Sequence, residues 1–199
     1  SVCTVVKLEL EQKAALEREA FNARLVLTNN QADMPLSSLR VTISIKDSLG
    51  NPADALFFNK VTDMAGVSAV DGSGTMQPAA QADIKWLIIP SPGAGGSLKD
   101  GTPYSVTAQI SYVSGGTPNV NTTQPAYITV YPQPLLSLEY LLPFEVFGVD
   151  PFTLTGTTEP FPLGLRVSNV GAGTAVNFTI ASSQPEITDN KQGLPISFQ

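Results

Sequence analysis

The sequence predicts an all-β protein built from sandwich domains, and three observations carry that expectation. Apolar residues recur at every second position in run after run, which places them on one face of a strand. Clusters of Gly, Pro, Asn, Asp and Ser close these runs, with strands spaced roughly 8–12 residues apart. In the one stretch rich in helix formers, residues 9–20, the apolar positions are Leu10, Ala14 and Ala20, which Leu16 could join. They make no wide stripe at helical spacing.

Each element follows from its own residues. Val5, Leu8 and Leu10 make a first, imperfect alternation. Residues 9–20 read as two strands joined by a tight connection near Lys13 to Leu16, with a short helix as the alternative. Phe21, Ala23, Leu25 and Leu27 alternate cleanly and stop at Asn29 and Asn30. Leu39, Val41, Ile43 and Ile45 alternate against Arg40, Thr42, Ser44 and Lys46, then meet a turn at residues 47–52. Residues 59–81 are rich in Gly, Ala, Ser and Asp and read as an excursion, with one short strand near 66–70. Ile84, Trp86 and Ile88 alternate. Tyr104, Val106, Ala108, Ile110 and Tyr112 form the longest clean run, closed by Gly115 and Gly116. A strand over 127–131 ends this half, and Pro132 and Pro134 make a stiff connector. Beyond it, strands are expected at 136–140, 161–167, 175–180 and 196–198. Seven strands in about 100 residues is the signature of an immunoglobulin-like sandwich. The expected organisation is therefore a tandem, with a first sandwich over 1–132 and a second over 135–199 that is too short to be complete.

An internal echo supports the tandem. Phe21-x3-Leu25-x-Leu27-Thr28-Asn29 matches Phe161-x3-Leu165-x-Val167-Ser168-Asn169, 140 residues on. Asn suits the end of such a strand, because its side chain satisfies local backbone groups and tolerates left-handed conformations. Gly171 and Gly173 then read as residues that let the chain turn back. The run from Phe161 to Ile180, with its strand, Asn-x-Gly, small residues and Ala-x-Asn, resembles the CARDB-like immunoglobulin-type modules that occur in tandem in large cell-surface proteins. The resemblance is strong over about 50 residues and is one of outline over 25–50. It implies a spacer, adhesive arm or accessory domain, and it brings no catalytic residues with it.

Composition narrows the function classes. The 199 residues hold 11 basic and 17 acidic side chains, a net charge of −6, and charged residues are only 14%. That balance, without a basic block, argues against nucleic acid and anionic membrane partners. No apolar run reaches the roughly 20 residues of a membrane-spanning helix. With no histidine and one cysteine, His-based triads, His metal sites and internal disulfides are excluded. No catalytic, cofactor or metal residue is expected, and the chain reads as a non-enzyme. Asp47, Asp54, Asp63, Asp71 and Asp100 read as turn residues. Asp47 and Asp71 faintly suggest Ca²⁺ loops but lack the ligand spacing. Residues 93–96 (Gly-Ala-Gly-Gly) lack the lysine of a phosphate loop and read as a turn. Glu139 and Glu145 fit a solvated strand face better than a glycosidase pair. Trp86, in an apolar strand, reads as core, and with Tyr104 would make a sugar platform only if exposed.

Low charge, abundant Ser and Thr and many turns fit an extracellular or cell-surface β-protein. Asn121 and Asn177 stand in glycosylation sequons. The chain starts without Met or a signal-peptide pattern, and its end reads as the opening of a strand, so it reads as processed or as a fragment. The short second half is explained by a chain that continues, by a strand supplied by a partner, or by one irregular domain. For strand donation the best donor is the N-terminal run carrying Val2, Val5, Val6, Leu8 and Leu10. Cys3 reads as a small buried hydrophobe or as an intermolecular thiol. The expected partners are protein: neighbouring domains of the same chain or identical subunits, with glycans as a further class. The leading function is a structural or adhesive surface module. The alternatives are a filament subunit that polymerises by strand exchange and a carbohydrate-binding accessory domain.

Overall fold

The computed structural model describes residues 3–144 and 160–181. Apart from one 3-10 turn at Asp54–Leu56, the regular structure among these residues is all strand. Ten strands build two facing sheets. The first sheet has the order β1-β3-β7-β5, from Cys3–Leu10, Phe21–Asn29, Gln81–Pro90 and Phe57–Ala65. The second has the order β2-β10-β8-β4-β6, from Ala14–Leu16, Ala126–Tyr131, Thr102–Ser114, Leu36–Asp47 and Asp71–Met76. Strand β9 (Thr117–Thr122) pairs with the far half of β8. The chain thus begins in one sheet and crosses to the other, where β2 runs parallel to β10. This division of the first strand is the immunoglobulin-like arrangement, and it is the expected all-β sandwich. Two strands do meet in the stretch 9–20, but the link is residues 11–13; residues 14–16, expected to be the connection, are strand β2 itself, with Ala15 turned into the core.

One core lies between the sheets. Phe21, Leu25 and Leu27 of β3, Ile84, Trp86 and Ile88 of β7, and Ile43, Ile45, Val106 and Ile110 of the facing sheet are all buried. Each comes from the alternation visible in the sequence, since successive side chains of a strand point to opposite faces. The outward positions of β3 and β7 carry charge, and Arg24 and Asp83 form a bidentate pair there. The β8–β9 hairpin turns through Gly115 and Gly116, both at positive φ, as a two-residue turn between twisted strands requires.

Three expectations need correction. The 66–70 stretch is the bend between β5 and β6. Both strands lie at sheet edges; β5 buries little beyond Phe57, and β6 turns Gly72 and Gly74 inward before Met76, so neither leaves an apolar alternation to read. Strand β9 was hidden for the same reason. No strand forms over 175–180 among the described residues. Asn177 sits at φ 54° there, a conformation that interrupts an extended run. The expected strand at 196–198 lies outside the described residues.

A third, two-stranded sheet follows the connector: β11 (Leu136–Leu141) antiparallel to β12 (Gly164–Asn169). Its register opens as that of β1 and β3 does, without the bulge that follows Val5 in β1. Asn29 lies opposite Cys3 and Asn169 opposite Leu136.

Candidate functional site

The sandwich meets the third sheet at residues 131–135, and the structure concentrates its specific polar contacts there. Glu17 is almost fully buried, although it is charged. Its Oε1 accepts the N–H of Gly93 at 2.9 Å and of Gly95 at 2.8 Å. Its Oε2 accepts the N–H of Gln133 at 3.4 Å. A buried carboxylate is tolerable only with such donors. The 91–96 loop supplies them by turning through Gly93 and Gly96 at positive φ, which aims two amides at one point in the manner of an anion nest. A Cβ at Gly95 would overlap the backbone of Tyr131 and Pro132, so this loop also packs directly on the connector. Tyr104 fixes the loop from beneath by donating its hydroxyl to the Ala94 carbonyl at 2.7 Å. Burial pushes that hydroxyl above its ordinary pKa, with the Asp47 and Glu17 carboxylates adding to the shift.

Arg18 sits in the left-handed region at φ 64°, a strained place for a long side chain. Its backbone N–H donates to the Pro90 carbonyl at 2.8 Å, and Nη2 donates to Gln133 Oε1 at 2.9 Å and to the Pro134 carbonyl at 2.7 Å. From the other side, Asn169 Oδ1 accepts the N–H of Leu135 at 3.1 Å, and its Nδ2 donates to the Gly173 carbonyl at 2.7 Å. Asn29 does the equivalent work in the sandwich. Its Oδ1 accepts the N–H of Gln31, and its Nδ2 donates to the Met34 and Gln77 carbonyls. The echo in sequence is therefore an echo in hydrogen bonding.

Gly171 and Gly173 lie in the bend where the chain turns back, and neither is at positive φ. Their need is proximity. A Cβ at Gly173 would lie 2.5 Å from the Gln133 carbonyl carbon, and one at Gly171 would lie 2.5 Å from the Leu135 nitrogen.

The third sheet is two-faced. Ser137, Glu139, Arg166 and Ser168 share one face, where Arg166 and Glu139 pair at 3.0 Å. Leu138, Tyr140, Leu165 and Val167 share the other. Leu138 is 55% exposed and Tyr140 65% exposed.

The remaining sequence-derived residues fall as follows. Strand β1, carrying Cys3, Val5, Val6, Leu8 and Leu10, pairs with its own β3, and Leu8 lies in its own core. Strand donation therefore requires β1 to leave that sheet. Val2 and Glu145 lie outside the described residues. Trp86 and Tyr104 are both buried, so neither presents a sugar platform. Asn121 is half-buried and donates to the Tyr112 hydroxyl at 3.3 Å, whereas Asn177 is exposed. The sequon's Thr123 is buried and uses its hydroxyl to accept the N–H of Ala108 at 2.9 Å. Asp47 and Asp71 hold their turns. Asp47 accepts the N–H groups of Leu49 and Asn51 and the Asn51 side chain, and Asp71 accepts from Ser73. These bonds hold both carboxyls below the ordinary aspartate value. Among the described residues, no cluster of three or more His, Cys, Asp or Glu side chains is placed to hold a metal ion. No described helix is long and apolar enough to cross a membrane.

No protein-family model and no curated protein matches the chain. Solved structures are similar at low identity. The GAE domain of GGA2p from Saccharomyces cerevisiae is 14% identical, with 64% of this chain and 96% of that one covered at a TM-score of 0.37. A family 123 glycoside hydrolase from Clostridium perfringens is 15% identical over 59% of this chain and 22% of its own, at 0.38. Domains D2 and D3 of the major pilin SpaD from Corynebacterium diphtheriae are 7% identical over 70% of this chain and 54% of their own, at 0.44. The match thus spans about half of the pilin fragment and about a fifth of the hydrolase. These are likenesses of outline, and no activity follows from them.

Proposed function

We propose that this chain is a non-enzymatic structural or adhesive module of a larger extracellular or cell-surface protein, and that its third sheet is the opening hairpin of a second, related sandwich. The observation that carries the reading is the repeated corner. Asn29 and Asn169 end equivalent strands, accept from the N–H two residues on, and sit opposite the strand that opens each unit. Repetition of a packing unit, with a short proline connector between copies, is the organisation of a tandem array, in which each module acts by its length and direction. Partners in this reading are neighbouring modules of the same chain.

A second reading has its own observation. The apolar face of β11–β12 is open among the described residues, so a strand from an identical subunit would find both an edge and a surface. Mass spectrometry of the polypeptide from its native source, after cell-surface fractionation, separates the two. A surface-exposed polypeptide much longer than 199 residues, with further sandwich repeats, supports the array. A polypeptide of about this length that migrates as a ladder of oligomers supports strand exchange. An intracellular monomer contradicts both.

A further inference from the structure

We infer that residues 131–135 are a fixed joint, clasped by Glu17 and Arg18, and that the direction between the sandwich and the following hairpin is part of the folded structure. The argument starts from the backbone polar groups of the connector. An interdomain linker ordinarily leaves these groups to water and keeps its freedom. Here the protein takes them. Pro132 and Pro134 carry no N–H, and the two N–H groups between 132 and 135 both have partners: Gln133 in Glu17, Leu135 in Asn169. Four carbonyls also accept. Tyr131 takes the N–H of Glu17 at 3.0 Å and Gln133 that of Gly173 at 3.2 Å. Leu135 takes that of Val170 at 2.8 Å, and Pro134 takes the Arg18 guanidinium.

The bonds come from both bodies. Glu17, Arg18 and Glu19, whose Oε1 accepts Gln133 Nε2 at 3.2 Å, belong to the sandwich side, and Asn169, Val170 and Gly173 to the hairpin side. Gly95 presses on the connector from one side and Gly171 and Gly173 from the other, with no room for a Cβ at any of them. The prolines fix φ at 132 and 134. Glu17 is the keystone because its buried carboxylate is bonded at once to the 91–96 loop and to the connector. Removing it leaves three amides aimed at an empty anion-sized space. The inference rests on the tandem reading only for its biological meaning. The joint itself is a property of the 199-residue chain.

The test is nuclear magnetic resonance on the isotope-labelled full chain, reading residual dipolar couplings and the heteronuclear NOE of Gln133 and Leu135. The expected result is one alignment tensor for the β3–β7 amides and the β11–β12 amides, with connector NOE values equal to those of the sandwich. In Glu17→Ala the tensors separate and the connector NOE values fall. Proteolytic cleavage between 131 and 135 rises about tenfold, which corresponds to about 1.4 kcal/mol of cheaper local opening. Millimolar acetate restores the single tensor by refilling the space between the amides, and acetamide does not. Where Glu17→Ala does not fold, Arg18→Ala replaces it, because the guanidinium is exposed and its loss frees Gln133 and Pro134 without touching the core. Separate tensors in the unaltered chain, or a joint indifferent to both substitutions, overturn the inference. The two readings fail differently. A folded hairpin that tumbles independently defeats the joint, and a hairpin with no β11–β12 cross-strand contacts defeats the tandem.

Discussion

Strands β3 and β12 carry one sequence pattern into two surroundings. In β3, Leu25 and Leu27 are fully buried between two sheets. In β12, Leu165 and Val167 occupy the matching positions and are only half-buried, beside the exposed Leu138 and Tyr140. Both strands end in an Asn that makes the same local bonds, and both pair antiparallel with an earlier strand, β1 or β11. What differs is everything supplied by distant sequence. Strand β3 has β7 on its free edge and the β4–β8–β10 sheet over its face. Strand β12 has neither among the described residues. Alternation specifies a strand and which of its faces is apolar. Burial of that face depends on another sheet arriving.

The largest test of the contrast is truncation at the matched leucines. Leu25→Ala costs about 2–5 kcal/mol by the cavity and transfer terms, whereas Leu165→Ala costs about 1 kcal/mol or less. Denaturant unfolding followed by Trp86 fluorescence reads both. Equal losses break the comparison, because they mean that the hairpin is covered as fully as the sandwich. The paired Asn residues come next. Asn29→Ala removes a buried side chain and the part-buried bonds to the Met34 and Gln77 carbonyls and the Gln31 N–H, and costs about 1–2 kcal/mol. Asn169→Ala loses bonds that water replaces, so global stability changes little while hairpin amides exchange faster.

A smaller effect separates two kinds of glycine. Gly116→Ala places a Cβ in open space at φ 79° and costs about 1–2 kcal/mol through backbone strain alone. Gly173→Ala meets no such strain but collides with Gln133, so it shifts connector chemical shifts and leaves sandwich unfolding nearly unchanged. The smallest effect is on pH dependence. Asp47, Asp71 and Asp83 are held below their ordinary value, Asp83 first by its bond from Arg24. A lowered carboxyl stabilises the fold fully above the unfolded value of about 3.9. That contribution is lost as pH falls through the depressed folded values. Melting scans of the sandwich therefore move to lower temperature below about pH 4. All three carboxyls are solvent-exposed, so the shift is modest and shrinks further in salt.

How legible this molecule is from its sequence follows the same line. Strands with one buried face, β3, β4, β7 and β8, declare themselves by alternation, and the Asn29–Asn169 echo is visible as letters. The edge strands β5 and β9 are exposed on most positions and β6 turns glycines inward, so nothing both apolar and periodic marks them. Glu17 gives no local sign of its burial, because it lies in a run of helix formers and its partners are 76 and 116 residues away. The 93–96 run reads as a turn and is one, yet its amides serve a carboxylate that only the folded chain brings there. Gly171 and Gly173 show the same gap: the residue type was informative, and the reason for it was tertiary.

The most direct measurement is amide hydrogen exchange on the 199-residue chain, comparing Leu25 and Leu27, whose N–H groups face β7, with Arg166 and Ser168, whose N–H groups face β11. The account predicts that the β3 amides exchange only through global unfolding, while the β12 amides open locally and exchange much faster. Equal protection of the two pairs would contradict it, because β12 would then belong to the same cooperative unit as β3.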